Sequence, residues 1–199
     1  MFLLLLAVVV RGLAPDPACV VARSEARALS TQVRRGLLVA IAANPTTNKF
    51  SSRDFEFEYT SDFEIKPKPV KTHLDEVLVK NGKRQIGVVV DPVKLASLAD
   101  FGSPGDVGAR VVAAERARDG VTAADLLDAR ALPDGSYRLE YTNASSRGDT
   151  HFLARVTVAN GRLYILTAQA RLDDFPDAAP ALNLAADSFR LYSSRKNKN

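Results

Sequence analysis

Apolar and polar residues alternate with a period of two through much of this chain, the signature of strands with one buried face. Tyr137, Leu139 and Tyr141 are interleaved with Arg138 and Glu140. The polar run Ser145-Ser146-Arg147-Gly148-Asp149 predicts a turn, and Phe152 to Val158 a second strand. That strand runs into Asn160-Gly161, a hairpin signal because both residues tolerate positive φ, and Leu163 to Thr167 returns beside it. Upstream, Phe55, Phe57 and Tyr59 share one face and Glu56 and Glu58 the other, with Phe63 and Ile65 continuing the alternation. Lys66-Pro67-Lys68-Pro69 interrupts pairing, since proline has no N–H to donate. Asn81-Gly82 predicts a hairpin turn between Val77–Val79 and Ile86–Val90, and Asp134-Gly135 a turn after a strand near Leu126 to Leu132.

Two segments switch to helical spacing. Ser103 is an N-cap, Pro104 takes the first helical position and Asp106 falls three residues after the cap. Val107, Val111 and Ala114 then recur on one face, and Asp119-Gly120 closes the segment. Later, Asp173, Asp174 and Asp177 place negative charge near the start of a second helix, whose apolar stripe is Leu182, Ala185, Ala186 and Phe189. Strands joined by short hairpins with two helices imply an α+β domain. Its antiparallel sheet would carry a helix on each face, or both helices at one end.

The blocks Y-x-L-E-Y (137–141), S-x-R-G-x-x-H (145–151) and V-x-x-G-R-L-Y-x-L-x-A-Q (158–169) together resemble the PsbP family of thylakoid-lumen proteins. VVVDP at 88–92, DFGSP at 100–104 and DSF at 187–189 extend the resemblance from about Phe55 to Leu191. It implies a Mog1/PsbP-like α/β/α fold, an antiparallel sheet sandwiched between helices. It also implies a non-enzymatic extrinsic protein. The family's photosystem II subunit docks on the lumenal face and helps retain calcium and chloride at the oxygen-evolving complex, while its paralogues serve photosystem assembly or other lumenal tasks. KPVKTHLDEVLV (68–79) looks like a paralogue's sequence, and residues 43–54 do not match the subunit's N-terminal arm.

The organisation expected is a targeting presequence over 1–43, a linker over 44–54, a PsbP domain over 55–192 and a basic polar tail over 193–199. Arg34-Arg35, a short apolar run and Ala40-Ile41-Ala42 have the form of a twin-arginine lumen signal. Phe2 to Val10 is apolar but too short to span a bilayer, and reads as a separate signal peptide or as upstream sequence from a misplaced start.

Charge changes this picture little. The formal net charge is +4, yet residues 1–42 hold five Arg against two acids, and the last five residues hold three cations. The basicity therefore belongs to the ends, and nucleic acid is not an expected partner. The single cysteine, Cys19, lies in the presequence, which excludes a disulfide scaffold and any cysteine metal site in the domain.

Candidate chemistry is sparse. The resemblance places His151 where the family has a histidine associated with a downstream carboxylate and with metal. Asp149 and Asp173 are the nearby acids for a Ca²⁺, Mn²⁺ or Zn²⁺ site, with Asp174 as an alternative, and an ion pair of His151 with one of these acids is the competing reading. A structural hydrogen bond from His151 at the start of a strand is the simpler reading. His73 reads as a surface loop residue, and Asp173, Asp174 and Asp177 as helix-start charges rather than a calcium loop. Lys66, Lys68 and Lys71 form a basic patch suited either to solvent or to an acidic lumenal surface of photosystem II or photosystem I, with peripheral membrane association. The function expected is a lumenal photosystem-associated or assembly factor. The alternative is a small-ligand or metal-binding module around His151.

Overall fold

In a computed structural model the described residues are 46–67 and 73–192. The strands are β1 (Thr47–Ser51), β2 (Phe55–Thr60), β3 (Glu64–Ile65), β4 (Asp75–Asn81), β5 (Arg84–Pro92), β6 (Val121–Ala131), β7 (Tyr137–Ser145), β8 (Thr150–Ala159), β9 (Arg162–Arg171) and β10 (Arg190–Leu191). The helices are α1 (Pro104–Arg116) and α2 (Phe175–Ser188), with one 3₁₀ turn at Ala99–Phe101. Seven strands form the main sheet in the order β3-β4-β5-β9-β8-β7-β6, and β1-β2-β10 form a second, small sheet. Every pairing is antiparallel.

The period of two sorts the main sheet's side chains between two apolar clusters. Ile86, Val88, Val90, Leu153, Tyr164, Leu166 and Ala168 pack with Leu182, Ala185 and Phe189 around α2, and with Phe55 and Phe57 of the small sheet. Val89, Leu139, Tyr141, Phe152, Ala154 and Ile165 pack with Val107, Val111 and Val112 of α1 on the other face. One helix thus covers each face, as the strand-rich pattern allows, and the small sheet extends the α2 side.

Helix α1 starts as its sequence predicts. Ser103 Oγ accepts from the Asp106 N–H, and the Asp106 carboxylate accepts from the Ser103 N–H, a complete capping box. The helix lies close on β6, because a Cβ at Gly108 would fall 2.7 Å from Leu126 Cδ2. Asn160 and Gly161 turn the β8–β9 hairpin with φ of 53° and 67°.

Other expectations change. Thr47–Ser51, within the segment expected as a linker, is strand β1, in register with β2 from Thr47↔Thr60 to Ser51↔Glu56. The β4–β5 turn sits one residue later than expected: Asn81 pairs with Arg84, so Gly82 and Lys83 make the loop. Strand β6 begins at Val121, well before Leu126, and two register shifts bend it along the sheet edge. Glu56, expected on a solvent face, is 5% exposed. Its carboxylate meets Lys49 Nζ at 2.7 Å, Tyr192 Oη at 2.5 Å and the Arg190 guanidinium, so β1, β2 and β10 share one anion.

Candidate functional site: two histidine–carboxylate pairs

His151 is the second residue of β8, opposite Thr142 on β7 and Ala170 on β9. It shares the parity of Leu153 and faces α2. There its ring stacks on Phe175, the first residue of that helix, with centroids 3.4 Å apart and planes 3° from parallel. Its Nε2 lies 2.8 Å from Glu140 Oε1. Glu140 stands diagonally across β7, two residues before Thr142, within reach of a ring on the same face. The His151 side chain is 9% exposed and that of Glu140 30%. The pair is an ion pair when the imidazole is protonated and a hydrogen bond when it is neutral.

The acids expected around His151 are elsewhere. Asp149 is exposed, and its backbone carbonyl accepts from the Leu172 N–H at 3.1 Å. Asp173 is exposed in the turn before α2, along a groove of about 550 Å³ that Arg84 and Arg171 also line. Asp174 gives both carboxylate oxygens to Arg84, at 2.6 and 2.8 Å, and that bond holds its carboxyl below the usual range. Among the described residues no three His, Cys, Asp or Glu side chains converge as metal ligands. The acid that His151 meets through Nε2 is Glu140, not Asp149 or Asp173.

His73 is the second pair, and its surface assignment is overturned. Its side chain is 3% exposed, and Nδ1 lies 2.8 Å from Oδ2 of Asp91, itself 8% exposed. Asp91 follows Val89 in parity, so this pair sits on the α1 face, at the end of the sheet away from His151. The sequence signal for it was the DP that ends β5, a carboxylate placed at a strand terminus. The signal for Glu140 was the E of Y-x-L-E-Y, on the face opposite the tyrosines.

Two arginines complete the polar interior on the α2 face. Arg138 and Arg155 stand directly opposite each other across β7 and β8, a like-charge pairing that needs compensation. Arg138 donates to Asp187 and Asn183 of α2. Arg155 donates to Ser136, to Asp134 and to the carbonyls of Ala186 and Asp187 at the end of α2. Burial opposes ionisation of Asp134, but hydrogen bonds from Ser136 and the Arg155 charge outweigh it and keep the carboxyl below its ordinary value.

Of the basic patch, Lys66 is exposed and donates to Glu64 at 2.5 Å, while Lys68 and Lys71 lie outside the described residues. Arg34, Arg35, Ala40 and Ala42 lie outside them as well.

A two-sided antiparallel sheet with one helix per face and a small accessory sheet defines a recognisable class of α+β domain. The PsbP family model matches residues 46–191, and the chain belongs to that family. Over 92 residues it is 33% identical to PsbP domain-containing protein 2, chloroplastic, of Arabidopsis thaliana; the match covers 44% of this chain and 40% of that protein. The fold is similar to the solution structure of cyanobacterial PsbP (CyanoP) from Synechocystis sp. PCC 6803. The TM-score is 0.62 at 21% identity, over 77% of this chain and 96% of that one. It is also similar to the Saccharomyces cerevisiae Ran-binding protein Mog1p, with a TM-score of 0.53 at 8% identity, over 74% of this chain and 96% of Mog1p. The α+β, Mog1/PsbP-like expectation holds.

Proposed function

We propose that this PsbP-domain protein is a non-enzymatic lumenal factor that docks on photosystem subunits, of photosystem II or photosystem I, and assists their assembly or stability as a peripheral component of the thylakoid membrane. The observation that carries the reading is the family match over the folded core, 46–191. Within that core His151, His73, Arg138 and Arg155 are engaged in contacts that join one part of the fold to another, which leaves the surface to do the binding. The chloroplastic relative supports a plastid location, and Arg34-Arg35 with Ala40 and Ala42 supports transfer to the lumen. Lys66, Lys68 and Lys71 are the residues for contact with an acidic partner.

Fractionation of intact thylakoids tests this. The protein is expected inside protease-protected membranes, released by a high-salt wash and co-migrating with a photosystem complex on native gels. Recovery in the stroma, or migration free of both photosystems, would sink it. Replacing Lys66, Lys68 and Lys71 together by Glu is expected to abolish salt-sensitive binding without changing the melting temperature. Calcium, manganese or zinc binding stays outside this reading, because the donors around His151 do not converge. A metal that raised the melting temperature of the wild type but not of His151→Ala would bring it back.

A further inference from the structure

The end of the main sheet that carries the β4–β5 and β7–β8 turns holds a polar constellation that neither histidine pair uses. A cleft of about 80 Å³ opens there between the residues after α1, the start of β6 and the β7–β8 turn. Arg118, Arg147, Arg171, Ser145 and Asp119 line it, with Asn143. Arg171 reaches it only because residue 148 is glycine, with φ of +99°. A Cβ there would lie 1.6 Å from the Arg171 guanidinium, which crosses the turn and donates to the Arg147 carbonyl.

Asn143 is the unusual member. The residue is 4% exposed, and its Nδ2 donates to Glu115 Oε2 at 3.1 Å. A carboxylate only accepts, so the orientation of the amide is fixed by chemistry. Oδ1 is then a buried acceptor with no hydrogen-bond partner among the described residues. Glu115 cannot supply one, and its charge is met by Arg118 at 2.9 Å. A ligand for this cleft must offer anionic oxygens to arginine and a hydrogen to Asn143.

We propose that the cleft binds a phosphoryl group that still carries a hydrogen, either hydrogen phosphate or the monoanion of a phosphate monoester. Its charged oxygens accept from Arg147 and Arg171, and its P–OH donates to Asn143 Oδ1. Sulfate has the same shape and the same acceptors but no hydrogen at neutral pH, and it leaves Asn143 unpaired. A carboxylate fails for the same reason. The volume suits one such group and is far below that of a nucleotide or cofactor pocket. The inference is independent of photosystem docking.

The test is an NMR titration of the ¹⁵N-labelled full chain with inorganic phosphate and with sulfate at matched ionic strength. It follows the Gly120 and Gly148 amides and the Asn143 side-chain NH₂. Saturable shifts with phosphate are expected, with sulfate at least about tenfold weaker. Arg147→Ala, a change at an exposed turn, is expected to weaken phosphate binding by about tenfold while the rest of the spectrum keeps its dispersion. Equal affinity for the two anions, no saturable shift, or unchanged affinity in Arg147→Ala would each overturn the proposal. Phenyl phosphate at about pH 5.5, where a monoester retains much of its last proton, separates the sources. Binding as tight as that of phosphate assigns the site to a phosphorylated group on a larger molecule, and exclusion of the monoester assigns it to the free ion.

Discussion

Helices α1 and α2 cover opposite faces of one sheet, yet only α1 is capped by a side chain of its own at its start. It has a capping box, proline where proline is favoured and valines at helical spacing. Its face of the sheet answers with apolar contacts, centred on Tyr141 stacked against Phe152 at 4.6 Å. Helix α2 has Pro180 in its interior, and its N-cap residue, Asp174, makes no capping bond. Side chains from the strands supply what its own sequence lacks. Arg84 takes the Asp174 carboxylate at one end, Arg155 takes the carbonyls of Ala186 and Asp187 at the other, and Arg138 holds Asn183 and Asp187 between β7 and the helix. His151 adds a ring against Phe175. Helix α1 is capped by its own residues, whereas both ends of α2 are met by side chains from the strands.

This contrast can be broken by experiment. Phe152→Ala removes the centre of the α1 face and is expected to cost about 3–5 kcal/mol in urea unfolding, with loss spread over the domain. Arg155→Ala is expected to cost about 2–3 kcal/mol, because it leaves two helix carbonyls and a largely buried polar cluster without their donor. Its signature is local: amide exchange should accelerate in 184–189 before it does in α1. If Arg155→Ala proves no costlier than a cap mutation, charge is not what holds α2. Ser103→Ala, which removes one half of the α1 capping box, is expected to cost about 1 kcal/mol. The last effect is one of pH and concerns Glu56. Hydrogen bonds from Lys49 and Tyr192, with Arg190 beside them, lower its pKa from 4.5 to about 2. A depressed carboxylate stabilises the fold above its unfolded pKa, so this contribution is complete at neutral pH and is lost as pH falls from 4.5 toward 2. Melting temperature plotted against pH should drop less steeply through that window in Glu56→Gln than in the wild type.

The same contrast explains what was legible in the sequence. Helix α1, the Asn160-Gly161 hairpin and the three strands from Tyr137 onward rest on signals within a few residues of each other, and all three appear where expected. Strands β1 and β10 were not legible, because they are short, mostly polar and defined by pairing with β2 rather than by any pattern of their own. The early half of β6 was missed for a related reason, since an exposed, bulged edge strand loses the alternation that would reveal it. In the candidate site His151 was visible and its partner was not. Glu140 lies eleven residues away in sequence and becomes a neighbour only once β7 and β8 are in register. His73 was misplaced because its burial depends on Asp91, a strand away.

The shared anion of the small sheet has a consequence for synthesis. Glu56 emerges 134 residues before Arg190 and 136 before Tyr192, and both contacts require the whole main sheet to stand between them. Contacts this distant in sequence close late in folding. A nascent chain that stops before Arg190 buries its carboxylate with Lys49 alone, so the last strand acts as a seal that only a complete chain can apply.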